Sequence, residues 1–70
     1  MTFAEKLVAA RRAKGWVQET LGHRCGLQQS HIAHFERGSR KPNLDNFAAI
    51  VRALGVDANS LLPDPEASAS

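Results

Sequence analysis

Four glycines, at positions 15, 26, 38 and 55, cut most of this chain into short pieces, and each piece carries apolar residues at helical spacing. None of the pieces approaches the roughly 20 apolar residues needed to span a membrane. No run alternates with the period of two that a half-buried strand requires. The pieces are therefore read as short helices that bury their apolar sides against one another in an all-α fold. Seventy residues leave room for a single core. Eleven of them are alanine, which suits helices packed at close range.

Local signals place the helices. Thr2 and Glu5 form a T-x-x-E capping box, in which each side chain satisfies a free backbone N–H of the helix start. The first helix runs over about residues 3–14, with Phe3, Leu7 and Ala10 on its inner side and Arg11, Arg12 and Lys14 near its negative end. Two shorter helices follow, at 18–25 and from 28 or 29 to 36, separated by Gly26-Leu27-Gln28. Glycine at 26 can take the left-handed conformation that ends one helix and turns into the next. Leu21, Cys25, Leu27, Ile32 and Phe35 are spaced to share a seam, and the unit is a helix-turn-helix. After a loop at 38–42, Asn43 caps a fourth helix with an apolar stripe of Leu44, Phe47, Ile50, Val51 and Leu54. Asp57 caps a last turn or two through Leu61 and Leu62, and Pro63 ends it. Residues 1–62 are thus expected to form the domain and 63–70 a frayed tail.

Charge is unevenly placed. Residues 1–42 hold eight lysines and arginines against Glu5, Glu19 and Glu36, whereas residues 43–70 hold Arg52 against Asp45, Asp57, Asp64 and Glu66. The first part could face a polyanion. The start, Met-Thr-Phe-Ala-Glu, lacks the layout of a secretory signal, and the single Cys25 makes no internal disulfide. A reducing cytoplasm is the expected compartment.

Catalysis finds no support. Ser30 and His31 are neighbours, but adjacent helical residues point about 100° apart and cannot pair as nucleophile and base. No phosphate-binding loop or carboxylate pair is present, so no enzyme activity and no cofactor are expected. His23 with Cys25, and His31 with His34, have the spacing of ligand pairs. The first pair faces different sides of its helix, and no metal is expected.

The run Leu7…Arg11-Arg12-x-x-Gly15-Trp16-x-Gln18-Glu19-x-Leu21, with Gly26-Leu27, Ile32-x-x-Phe35-Glu36-Arg37-Gly38-x-Arg40-x-Pro42 and Leu44…Ile50-Val51-x-Ala53-Leu54-Gly55-Val56, resembles the helix-turn-helix family of Cro and the lambdoid phage repressors. This family is also called the xenobiotic-response-element type. The resemblance covers about residues 3–62. It implies a compact five-helix, lambda-repressor-like domain whose third helix reads the major groove of double-stranded DNA. It implies a phosphate contact for Gln18. It also implies that Gln28, Gln29 and Ser30 open the recognition helix where base edges lie closest, that His31 and His34 reach bases or phosphates from later turns, and that Arg40 and Lys41 make phosphate or minor-groove contacts. Gln29 is the expected direct reader, since glutamine can pair bidentately with adenine. Arg11 and Glu36 occupy positions that pair with each other across helices one and three.

Three positions depart from the family pattern. Val17 and Gln28 stand where it has Ser, Thr or Asn caps, at a cost of about 1 kcal/mol each. Gly22 stands where it has Ala, at about 1 kcal/mol in a helix interior. Trp16 is read as a lid on the core and Cys25 as a small buried hydrophobe. Leu61 and Leu62 are the expected seam of a homodimer, since the family commonly dimerises through its C-terminal helix. The expectation is a cytoplasmic, nucleoid-associated regulator that binds a near-palindromic operator as a dimer. The alternative is an adaptor or antitoxin of the same fold whose partner is a protein.

Overall fold

The computed structural model describes residues 1–64. The elements are α1 (Phe3–Ala13), α2 (Gln18–Cys25), α3 (Gln29–Arg37), α4 (Leu44–Leu54) and a 3-10 turn (Ala58–Leu61), with no strand among the described residues. The five-helix expectation is thereby corrected to four helices and a turn. The last element stays a 3-10 turn because Asp57 and Ser60 tie its ends together. The Asp57 side chain accepts from Asn59 N–H, and Ser60 Oγ donates to Asp57 O at 2.6 Å. Pro63 then forces Leu62 into extended backbone, with ψ 144°.

The helix ends follow the local signals. Thr2 and Glu5 form the reciprocal capping box on α1, and Asn43 Oδ1 accepts from Asn46 N–H on α4. Gly26 ends α2 at φ 75°. The chain then turns at once into α3, with Leu27 N–H bonded to Gly22 O at 2.8 Å.

Each element contributes to one core: Leu7 from α1, Leu21 from α2, Ile32 and Phe35 from α3, Ile50 and Leu54 from α4, and Leu61 from the turn. Each such burial is worth about 2 kcal/mol of transfer free energy. α2 packs on α3 and α4, α1 packs on α3, and the turn closes over α1 and α4. Trp16 and Cys25 lie half-buried against this core. Burial pushes the Cys25 thiol up, so it stays protonated and a poor nucleophile.

Two apolar expectations fail. Leu44 fits the stripe by spacing but is 81% exposed, because it opens α4 beyond the reach of the elements that cover the rest of that helix. Leu61 and Leu62 do not form a paired surface seam. Leu61 is 1% exposed and belongs to the core, while Leu62 is 46% exposed. The tight turn sends the two side chains to opposite sides. A dimer interface therefore cannot use Leu61.

Of the residues expected to fray, Pro63 and Asp64 are described, and 65–70 lie outside the described residues. Asp64 accepts from Lys6 Nζ at 2.8 Å and from the Met1 amino group, and its N–H donates to Met1 O at 3.1 Å. These donors hold its carboxyl at about 2, below the ordinary 3.8. A depressed carboxyl stabilises the fold above its unfolded pKa and loses that contribution as pH falls toward its folded one. The difference in melting temperature between this protein and Asp64→Asn should therefore be complete above about pH 4 and shrink away toward pH 2.

Gly22 also differs from its sequence-level expectation. A Cβ there would lie 2.9 Å from Leu27 O and 3.3 Å from the Gln28 carbonyl. The missing side chain lets the turn approach the helix, so Ala would push against backbone. Gly22→Ala should deliver none of the helix-propensity gain of about 1 kcal/mol, and Gly22→Val should destabilise by more than that amount. Urea unfolding checks both. A full gain from Ala would show that the turn yields freely.

Candidate nucleic-acid interface

The centre of the site is a relay of four side chains running from the core to the surface. Arg11 on α1 grips Glu36 on α3 with two parallel bonds, Nε to Oε2 at 2.7 Å and Nη2 to Oε1 at 3.0 Å. The side chains are 11% and 5% exposed, so the pair is largely shielded from water. Its third donor, Nη1, reaches Trp16 O at 2.7 Å and fixes the loop between α1 and α2. Glu36 raises the Arg11 pKa by hydrogen bonding to the charged form.

Glu36 then sets the orientation of the next group. An ionised carboxylate only accepts, so the Gln18 amide must turn its NH2 inward. Gln18 Nε2 donates to Glu36 Oε1 at 3.0 Å. Its carbonyl oxygen is left facing α3, where it accepts from Gln29 Nε2 at 2.7 Å. Gln29 is thereby held with its own carbonyl oxygen and second N–H unspent by this relay. One acceptor beside one donor is the pattern that meets an adenine edge.

Gln28, Gln29 and Ser30 are all exposed at the start of α3. Neither Val17 at the start of α2 nor Gln28 at the start of α3 makes a side-chain cap, whereas α1, α4 and the 3-10 turn are all capped. The first N–H groups of α2 and α3 are thus without a side-chain partner from their own N-cap. They carry the positive end of each helix dipole.

The other expected residues fall elsewhere. His34 is tied to the end of α3, with Nδ1 3.0 Å from Ser39 Oγ and 3.1 Å from Arg37 Nη2. Ser39 Oγ also donates to His34 O at 3.2 Å. His31 Nδ1 is buried and has no hydrogen-bond partner. Arg40 and Lys41 are exposed in the loop and form no ion pair among the described residues. The Trp16 ring lies under two cations, Arg24 Cζ at 5.0 Å and Lys14 Nζ at 5.6 Å, and is not open for base stacking.

Sequence reasoning missed the Gln18–Gln29 bond, which spans the turn, and the roles of Arg37 and Ser39. Ser39 had a signal: it directly follows the glycine that ends α3, where a second side chain can fold back onto free carbonyls. No helix among the described residues is long and apolar enough to cross a membrane.

A family model described as helix-turn-helix matches residues 7–61. Control protein C.BamHI of Bacillus amyloliquefaciens is 38% identical over 63 residues, covering 89% of this chain and 78% of that protein. An HTH-type transcriptional regulator of Sinorhizobium fredii is 42% identical over 53 residues, but the match covers 76% of this chain and only 27% of the longer protein. The restriction-modification controller protein C.AhdI of Aeromonas hydrophila superposes with a TM-score of 0.82 at 37% identity, over 86% of this chain and 91% of that one. The P22 c2 repressor, solved in complex with a synthetic operator, superposes with a TM-score of 0.84 at 29% identity, over 89% and 94%.

The relay makes a prediction independent of any ligand. Glu36→Ala strands a buried guanidinium and should cost about 3 kcal/mol in urea unfolding. Glu36→Gln, which keeps an acceptor, should cost less. A loss below about 1 kcal/mol for Glu36→Ala would mean that the pair is slack.

Proposed function

The chain belongs to the helix-turn-helix family, and from that premise we propose that it is a sequence-specific transcriptional regulator that binds a near-palindromic operator as a dimer. The observation that carries the proposal is the relay ending on Gln29. It places an oriented amide on an exposed helix start, fixed from behind by a buried carboxylate. A reader held in place before binding loses less side-chain entropy when it binds.

On this reading α3 enters the major groove, where all four base pairs are distinguishable. Gln28, Gln29 and Ser30 face base edges. Gln18 gives one amide N–H and its carbonyl oxygen to the relay, so phosphate at this position is met by its second amide N–H and by the open backbone N–H groups that begin α2. Arg40 and Lys41 hold the flanking backbone, and the excess of cations in residues 1–42 draws the duplex in. Among the residues from Gln28 to His34 none is acidic, which favours DNA over a protein partner on this face. Two chains are expected per operator, because one such unit buries too little to bind tightly and specifically by itself. With Leu61 in the core, exposed Leu62 is the apolar residue left for that contact. Likeness to control protein C.BamHI and to the restriction-modification controller protein C.AhdI supports a compact regulator.

Selection from a random duplex library at about 150 mM salt tests the proposal. Enrichment of a two-fold symmetric site bound by two chains, with half-sites about 34 Å apart, is expected. No enrichment, with binding that vanishes in salt, would redirect the search to a protein partner. On the selected site Gln29→Ala should cost about 1–3 kcal/mol while leaving random DNA nearly unaffected. Arg40→Ala should weaken both and flatten the salt dependence by about one unit. Equal losses from Gln29→Ala on both would show that Gln29 is not a reader.

A further inference from the structure

A cavity of about 400 Å³ opens between the first turn of α1, the end of α3 and the chain leading to Asp64. Its floor is apolar, made by Phe3, Ala4, Phe35 and Pro63. Its rim carries Arg37, Arg40 and Lys41, and none of the described residues that line it is a carboxylate. Arg37, Arg40 and Lys41 form no ion pair among the described residues, and Arg37 Nη2 lies 3.1 Å from His34 Nδ1, on a ring that carries no negative charge. Three cations around an apolar floor place positive charge beside an apolar surface.

The far wall is fixed in place. Lys6 Nζ donates to Leu62 O at 2.7 Å and to Asp64 at 2.8 Å, one residue on either side of Pro63. Asp64 N–H closes on Met1 O at 3.1 Å. The cavity is thus bounded by a helix start, a helix end and a tethered strand of chain.

Size and chemistry select the occupant. The volume lies within the range of small-molecule sites and is too small for a partner helix. A DNA phosphate would use the cations and leave the aromatic floor unused. We propose that this cavity binds a small amphipathic carboxylate, with its flat apolar body on Phe3, Phe35 and Pro63 and its carboxylate on Arg37, Arg40 and Lys41, and that occupancy releases the protein from DNA. The release rests on the DNA reading above, in which Arg40 and Lys41 hold the backbone. A ligand that engages them competes with phosphate, and the two affinities are reciprocally linked.

The test uses the full chain labelled with nitrogen-15 and 2-naphthoate as the probe, with 2-naphthalenemethanol as its neutral counterpart. Saturable shifts are expected at the amides of Phe3, Ala4 and Gly38, with a dissociation constant at or below about 1 mM. The alcohol should bind about tenfold more weakly, since it lacks the charge-assisted bonds. With naphthoate at ten times its dissociation constant, affinity for the selected operator should fall about tenfold. Ala4→Leu fills the cavity from a half-buried helical position. It should abolish the naphthoate shifts and keep operator affinity within about twofold; an unchanged circular-dichroism melt shows that it folds. Absent or non-saturating shifts, shifts spread over every surface cation, or equal binding of the alcohol would overturn the site. Shifts at the cavity with operator affinity unchanged would overturn the release. A protein that takes naphthoate there but selects no DNA sequence would keep the site and reject the DNA reading, so the two failures are separable.

Discussion

The buried pair between Arg11 and Glu36 is the constraint on which the remaining geometry depends. Taking both charges out of water is costly, and a well-packed apolar pair could fill the same space with equal or better stability. Its value lies in direction. A carboxylate has acceptors only and a guanidinium has donors only, in a fixed planar fork. Once Arg11 has taken one edge of Glu36, the remaining acceptor geometry dictates how Gln18 must sit, and Gln18 dictates how Gln29 must sit. A hydrocarbon contact between α1 and α3 would hold the helices equally well and transmit no such orientation.

The pair also binds three segments at once. Arg11 belongs to α1, Glu36 to α3, and the Trp16 carbonyl to the loop that leads into α2. The start of α2, where its free N–H groups lie, is therefore positioned by the same guanidinium that positions Gln29. The two candidate contacts, backbone donors on α2 and the amide on α3, share one anchor and hold a fixed spacing.

Much of this was legible because its causes are local. The capping box of Thr2 and Glu5, the Asn43 cap and the glycine at the end of α2 each depend on residues within one turn. The seam residues Leu21, Ile32 and Phe35 followed from period alone. The Arg11–Glu36 pairing came only from family resemblance, since nothing local joins residues 25 positions apart. The Gln18–Gln29 bond depends on the angle between two helices, which no spacing rule supplies. Leu44 misled because periodicity describes an endless helix, while burial depends on what lies opposite each turn. Leu61 and Leu62 misled for a related reason: two adjacent leucines look alike in sequence, and only the tightness of the turn sends one inward.

The weak caps, read from sequence as a defect, acquire a different meaning beside the capped helices. α1, α4 and the 3-10 turn satisfy their free donors with Thr2, Asn43 and Asp57. α2 and α3 do not, and these are the two helices that open on Gln18 and Gln29. A side-chain cap stabilises the free protein by about 1 kcal/mol, but it occupies the donors that an anion would use. Leaving Val17 and Gln28 as caps keeps those donors open at a cost in free-state stability. On the proposed function the lost stabilisation lies at the binding edge, where an anion meeting the open donors would return part of it.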